Sequence, residues 1–175
     1  MSGRFVYWLK RVVVVLLFIA GIGGSLPPGA EGMRGSTLQI GDSPPKIVLS
    51  DVQGRPVALF DEMRGKVVVL HFWASCKQCL EEVPLLNSFY RSHKDKGLVI
   101  LAVNVGQSKE WIEKFLREVK VSYPVLLDAN MKAARSYGVR AVPQTFIIDR
   151  KGLIRYKILG GVTEKTLKRS VLGLL

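Results

Sequence analysis

Apolar positions change their period several times along this chain, and each change marks an element. The segment KVVVLHFW, Lys66 to Trp73, is almost continuously β-branched and aromatic, as a strand buried on both faces would be. GLVILAVNV, Gly97 to Val105, reads the same way. Between them, Leu80, Val83, Leu86, Phe89 and Tyr90 recur at helical spacing, which predicts a helix over Cys79 to Ser92. SKEWIEKFLREV predicts a second helix, with Ser108 as N-cap and Trp111, Ile112 and Phe115 on one face. PVLLD is a short strand, and MKAARSYGV a helix stopped at Gly138. QTFIIDRKGLIRYKIL is a hairpin turning at Arg150-Lys151-Gly152, and Thr163 to Leu174 is a closing helix. Upstream, KIVLSDVQGRPVALF gives two short strands around a Gln53-Gly54 turn.

The order is β-β, β-α-β-α-β-α, β-β-α. Alternating strands and helices imply an α/β fold with a parallel core sheet and helices on its faces. The late hairpin adds antiparallel strands, so the central sheet is expected to be mixed, with an N-terminal β-hairpin as an extension.

The front of the chain is different. Basic residues precede an unbroken apolar stretch from Val12 to Ile22, followed by small residues and a Pro pair. This is the pattern of a signal peptide, and the stretch is short for a spanning helix, which needs roughly 20 apolar residues. Residues 1–25 are expected to be a signal peptide or an N-terminal membrane anchor, with membrane contact through residues 4–26. Lys10 and Arg11 would stay inside, placing the rest outside the cytoplasm, in the periplasm or on the outer face of the membrane. Residues 26–37, LPPGAEGMRGST, read as a linker. The domain is expected over 38–175.

The formal charge is +12, and removing Arg4, Lys10 and Arg11 leaves +9. The Lys and Arg residues are scattered, with no run of five and no accompanying nucleic-acid motif, so nucleic acid is not expected as a partner. A basic domain of this kind suits an acidic partner or a membrane surface.

The two cysteines, Cys76 and Cys79, sit two residues apart where the first long strand gives way to a helix. Structural zinc takes four ligands. His93 lies at the far end of the helix, so at most Cys76, Cys79 and His71 are at hand. A disulfide across two residues closes almost no loop and stabilises little. A redox pair fits better. Unpaired N–H groups in a first helical turn stabilise a thiolate, so Cys76 is expected to attack and Cys79 to resolve the mixed disulfide. Lys77 favours that thiolate, while Glu81 and Glu82 oppose it.

These residues, with the flanking FWAS, the Glu82 and Pro84 that follow Cys79, and the segment DANMKAARSYGVRAVPQTFIIDRKGLI, resemble the thioredoxin superfamily. The closest likeness is to the TlpA/ResA-type extracytoplasmic thiol–disulfide oxidoreductases, grouped with the AhpC/TSA–redoxin proteins. The likeness runs from Leu38 to Leu175. It implies a thioredoxin-like fold with no bound cofactor and no metal. It implies a cis bond at Pro143, facing the cysteines, with Val142 offering backbone groups to an extended substrate and Trp73 beside it. It also implies that Glu82 moves protons at the cysteines. His71 stands where cytoplasmic thioredoxins carry a buried carboxylate, and is a candidate proton relay to Cys79. Glu81 is expected to be solvated.

Two departures stand out. The family pattern has one more residue and a tryptophan before the first cysteine, and a proline where Gln78 stands. The first changes the loop that presents Cys76. The second removes a rigid residue from the motif and should alter its potential.

The family likeness implies a reductant of cysteine-containing proteins outside the cytoplasm, such as apocytochrome c during its maturation, re-reduced by a membrane thiol–disulfide electron carrier. Two other classes compete. A copper-delivery protein would hold Cu(I) on Cys76, Cys79 and His71. A peroxiredoxin-type peroxidase would need a P-x-x-x-T-x-x-C pattern that VLHFWASC does not supply.

Overall fold

The computed structural model describes residues 38–59 and 61–175. The expected leader or anchor (1–25) and linker (26–37) lie outside the described residues. Among the described residues, no helix is long and apolar enough to cross a membrane.

Seven strands form one sheet: β1 (Val48–Asp51), β2 (Pro56–Ala58), β3 (Val67–Trp73), β4 (Leu98–Val105), β5 (Val125–Asp128), β6 (Gln144–Ile148) and β7 (Ile154–Leu159). Their order is β2-β1-β5-β4-β3-β6-β7. Strands β3, β4 and β5 pair in parallel, and every other pairing is antiparallel. The β1–β2 hairpin thus extends one edge and the β6–β7 hairpin the other. This is the mixed sheet of a thioredoxin-like fold.

All seven residues of β3 are buried, which is why its sequence shows no polar alternation. Its side chains divide by parity. Val67, Val69 and Trp73 join a core with Val83, Leu86 and Phe89, Ile112 and Phe115, and Leu167 and Val171. Val68, Leu70 and Phe72 join a second core with Ala133, Ala134 and Tyr137, and with Ile47, Leu59 and Met63. The first set of partners lies on helices α2 (Val83–His93), α3 (Lys109–Glu118) and α5 (Glu164–Val171). Of the second, Ala133 and Ala134 lie on α4 (Lys132–Ser136) and Tyr137 is its C-cap, while Ile47, Leu59 and Met63 come from the segments flanking the β1–β2 hairpin. Helices therefore cover both faces.

The helix expected over Cys79 to Ser92 is two helices. A five-residue α1 (Lys77–Glu81) starts earlier than expected, and α2 follows after Glu82. Pro84 lies in the first turn of α2, where its missing N–H is tolerated. It has no proton for the Leu80 carbonyl, and the Glu82 N–H donates there instead. The break gives Glu82 its own direction, which matters below.

Ser108 caps α3 as expected, accepting from the Trp111 N–H. Gly138 closes α4 with φ of 65°, its N–H bonded to Arg135 and that of Val139 to Ala134. The start of α4 depends on Asp128, whose carboxylate accepts the N–H groups of Ala133 (3.0 Å) and Ala134 (2.8 Å). Asp128→Ala leaves two buried donors unpaired and should lower stability by about 2–4 kcal/mol. Urea unfolding checks this, and Asp128→Asn should recover part of the loss.

Candidate redox site

Chain direction places the site at the carboxyl end of β3. Trp73 is the last strand residue, Ala74 and Ser75 make a short link, and Cys76 is the N-cap of α1 in extended conformation. Its Sγ accepts the Cys79 N–H at 3.1 Å. Cys79, one turn in, is 1% exposed, while Cys76 is only partly buried. The two are joined by a disulfide with Cα atoms 5.2 Å apart. The outer sulfur of the pair is therefore Cys76, and a backbone donor already points at it. Lys77 and Glu81 are both exposed and pair with each other at 3.8 Å, so their charges largely cancel near the sulfurs.

Glu82 does not lie on an exposed helix face. It is 6% exposed, its Oε1 accepts the Val162 N–H at 3.0 Å, and its Oε2 has no hydrogen-bond partner. Burial pushes its carboxyl up to about 7, against the smaller opposing effect of the Val162 N–H. The room for it comes from Gly161. A Cβ there would overlap the Glu82 carboxylate and come within 2.6 Å of the Gln78 amide nitrogen. Gln78 and Glu82 thus converge on one glycine, from opposite ends of α1. Gly161→Ala should dislodge Glu82 from Val162 and lower stability by about 1–3 kcal/mol, measured by urea unfolding.

His71 lies beneath. It is 2% exposed, and burial pulls its imidazole down to about 4. Its Nδ1 meets Thr145 Oγ1 at 2.9 Å across the β3–β6 pairing, and its Nε2 lies 3.5 Å from Glu82 Oε2. At neutral pH this is an uncharged ring beside a carboxyl near half protonation, not a salt bridge. His71, Trp73, Cys79, Phe115 and Tyr123 line one small internal cavity of about 10 Å³, about enough for one water. Burial, and secondarily the Glu82 charge, raise the Tyr123 hydroxyl. A group titrating near 7 suits proton exchange at neutral pH.

Trp73, expected at the substrate surface, lies inside. It is 4% exposed and packs against Phe115 (5.2 Å) and Trp111 (6.4 Å). Parity explains this, since Trp73 follows Val67 and Val69 onto the same covered face. It shapes the floor of the site and has little surface for a substrate. The Val142–Pro143 bond is cis, Pro143 is buried, and Val142 packs against both cores. The Pro143 carbonyl accepts the Gly160 N–H at 2.9 Å. One glycine further on, Gly161 meets Gln78 and Glu82, so the proline loop and the cysteine turn are joined through residues 160–162.

Gly161, Thr145 and Tyr123 were not apparent as site residues. Nothing local marks them, because each is brought to the site by contacts more than forty residues away in sequence. Among the described residues, no three His, Cys, Asp or Glu side chains cluster to hold a metal ion.

Residues 40–157 match the AhpC/TSA family profile. The thiol-disulfide oxidoreductase ResA of Geobacillus thermodenitrificans is 36% identical over 162 residues, covering 92% of each chain. ResA of Bacillus subtilis is 32% identical over 155 residues, covering 88% of this chain and 86% of that one. Among solved structures, the thioredoxin domain of a thiol-disulfide oxidoreductase from Bacteroides vulgatus superposes with a TM-score of 0.68 at 29% identity. That match covers 77% of this chain and 99% of the other. StoA from Bacillus subtilis superposes with a TM-score of 0.62 at 27% identity, covering 72% and 96%. On this likeness, which spans most of its length and takes in the stretch that carries the paired sulfurs, the chain belongs to the AhpC/TSA family and is a thioredoxin-fold thiol–disulfide oxidoreductase.

Proposed function

We propose that this oxidoreductase acts on cysteine-containing proteins outside the cytoplasm, as a reductant. The observation that carries the exchange chemistry is the asymmetry of the pair, while the reducing direction follows the family resemblance. Cys76 is accessible and holds a backbone donor, whereas Cys79 is buried beside His71. In the reduced protein the Cys76 thiolate attacks one sulfur of a substrate disulfide. A bond forms between Cys76 and that sulfur, and the other substrate sulfur leaves as a thiolate and takes up a proton. Cys79 then loses its proton towards the cavity it shares with His71, and His71, whose Nε2 lies 3.5 Å from Glu82 Oε2, passes a proton on to Glu82. Its thiolate attacks Cys76 Sγ, closing the Cys76–Cys79 disulfide and releasing the second substrate sulfur, which is protonated in turn. Two electrons pass to the substrate. A membrane thiol–disulfide carrier returns two electrons, Cys79 regains its proton and Cys76 returns to the thiolate.

In this reading Val142, before Pro143, presents backbone groups to an extended substrate. Apocytochrome c is the substrate suggested by the family resemblance alone. The extracytoplasmic setting rests on the same resemblance and on the N-terminal pattern, and suits a couple that must cycle through a disulfide.

The test mixes reduced protein with an oxidised dicysteine polypeptide and counts alkylatable thiols after an acid quench. One substrate disulfide should open for each Cys76–Cys79 disulfide formed. Turnover of hydrogen peroxide with a thiol donor, and no exchange with the polypeptide, would favour a peroxidase instead.

A further inference from the structure

A groove of about 350 Å³ lies beside the proline loop. One wall is the loop after α4, with Arg140 and Ala141, and it runs straight into Val142 and Pro143. The other is the β6–β7 ladder, where Gln144 faces Leu159. Gly160 closes the end by its bond to Pro143, and the next residue, Gly161, touches Gln78 of the cysteine motif. The groove is therefore a continuation of the redox site.

Two properties define what fits there. The floor is apolar, and Leu159 is 74% exposed. Of the lining residues, the two that carry charge, Arg140 and Lys157, are both cations, and no carboxylate lines the groove. An exposed apolar residue flanked by two cations suits a polypeptide better than a bare polyanion.

We propose that this groove seats the segment of the substrate polypeptide flanking its reactive cysteine, and that it selects an apolar side chain together with an aspartate or glutamate. The apolar side chain rests on Leu159, and the carboxylate meets Arg140 and Lys157. This deepens the proposed function and rests on it. Opposite charges here act on encounter rate and partner choice more than on affinity.

The test uses the full chain, reduced, and two peptide disulfide dimers of one sequence. One carries Leu and Glu close to its cysteine, and the other carries Lys in place of Glu. The wild-type protein should reduce the acidic dimer at least tenfold faster at low salt, with the ratio falling as salt rises. R140E/K157E should bring the ratio to one or below. K94E/K96E removes the same charge from the turn before β4, at the other end of that strand, and should keep the ratio. Equal wild-type rates, or a ratio that falls equally in both double variants, would overturn the groove. Hydroxyethyl disulfide, small and neutral, reports on the underlying reading. If the wild type fails to reduce it, the oxidoreductase reading falls. If it is reduced but neither peptide is, the groove proposal falls.

Discussion

Replacing Cys79 with Ser is expected to arrest the protein as a mixed disulfide. In the wild type the second thiol stands one helical turn from Cys76, already bonded to it in the oxidised state. Such an intramolecular attack has an effective concentration of roughly 10⁵ M or more when well oriented. Without it, only external thiol can resolve the adduct. Release should therefore slow by at least about 10³-fold at millimolar thiol, and a Cys76-linked adduct should be visible by intact mass. Cys76→Ser is expected to behave differently. The remaining thiol, Cys79, is 1% exposed, so exchange should fall by about 10³-fold or more with no adduct trapped. If adducts accumulate on Cys79 instead, Cys79 is the attacking thiol and Cys76 the resolving one.

The second large effect concerns Glu82 and the pH dependence of stability. Its carboxyl lies at about 7 in the fold against an ordinary 4.5. The folded state thus holds this proton more tightly than the unfolded chain. Stability contributed by Glu82 is complete below about pH 4.5 and is lost as pH rises through 7. His71 runs the other way. Its pKa is about 4 in the fold against 6.5, so its contribution is complete above 6.5 and is lost as pH falls through 4. Each shift corresponds to about 3 kcal/mol. Between roughly pH 4.5 and 6.5 the two slopes oppose each other, and the wild-type profile should be nearly flat there. Glu82→Gln removes the alkaline loss while leaving an oxygen for Val162. In the oxidised protein it should match the wild type near pH 4 and exceed it by about 3 kcal/mol at pH 8. Urea midpoints at pH 4, 6 and 8 measure this, and parallel curves would show that Glu82 titrates normally. A buried carboxyl that weakens the fold at neutral pH has the character of a functional group, since stability at a site is commonly sacrificed to activity.

Much of this site is legible in the sequence because its signals are local. The uniformly buried β3 is visible as a β-branched run, Ser108 and Gly138 mark their helix ends, and the Cys76–Cys79 spacing is one helical turn. The division of the helix at Glu82 also had a local signal. Pro84 belongs in a first turn, and weighing it above the apolar periodicity would have placed the boundary. The burial of Glu82 had none. Its position three residues after Cys79 would suit a solvated face as well as a buried one, and what decides is Gly161, seventy-nine residues on, with the Val162 N–H beside it. Trp73 needed the parity of β3 to be followed one residue past its apolar core. The His71–Thr145 contact and the groove between Arg140 and Leu159 depend on the β6 register, which only the assembled sheet defines.

Cys76 and Cys79 are expected to act as one reducing couple. Equilibrating the protein with graded thiol–disulfide buffers and counting alkylated cysteines tests it directly. A single two-electron transition is expected, in which both cysteines titrate together with a midpoint below about −250 mV. A midpoint near about −120 mV would make the protein an oxidant and contradict the direction of transfer. Cysteines that never close a reversible disulfide would contradict the mechanism itself.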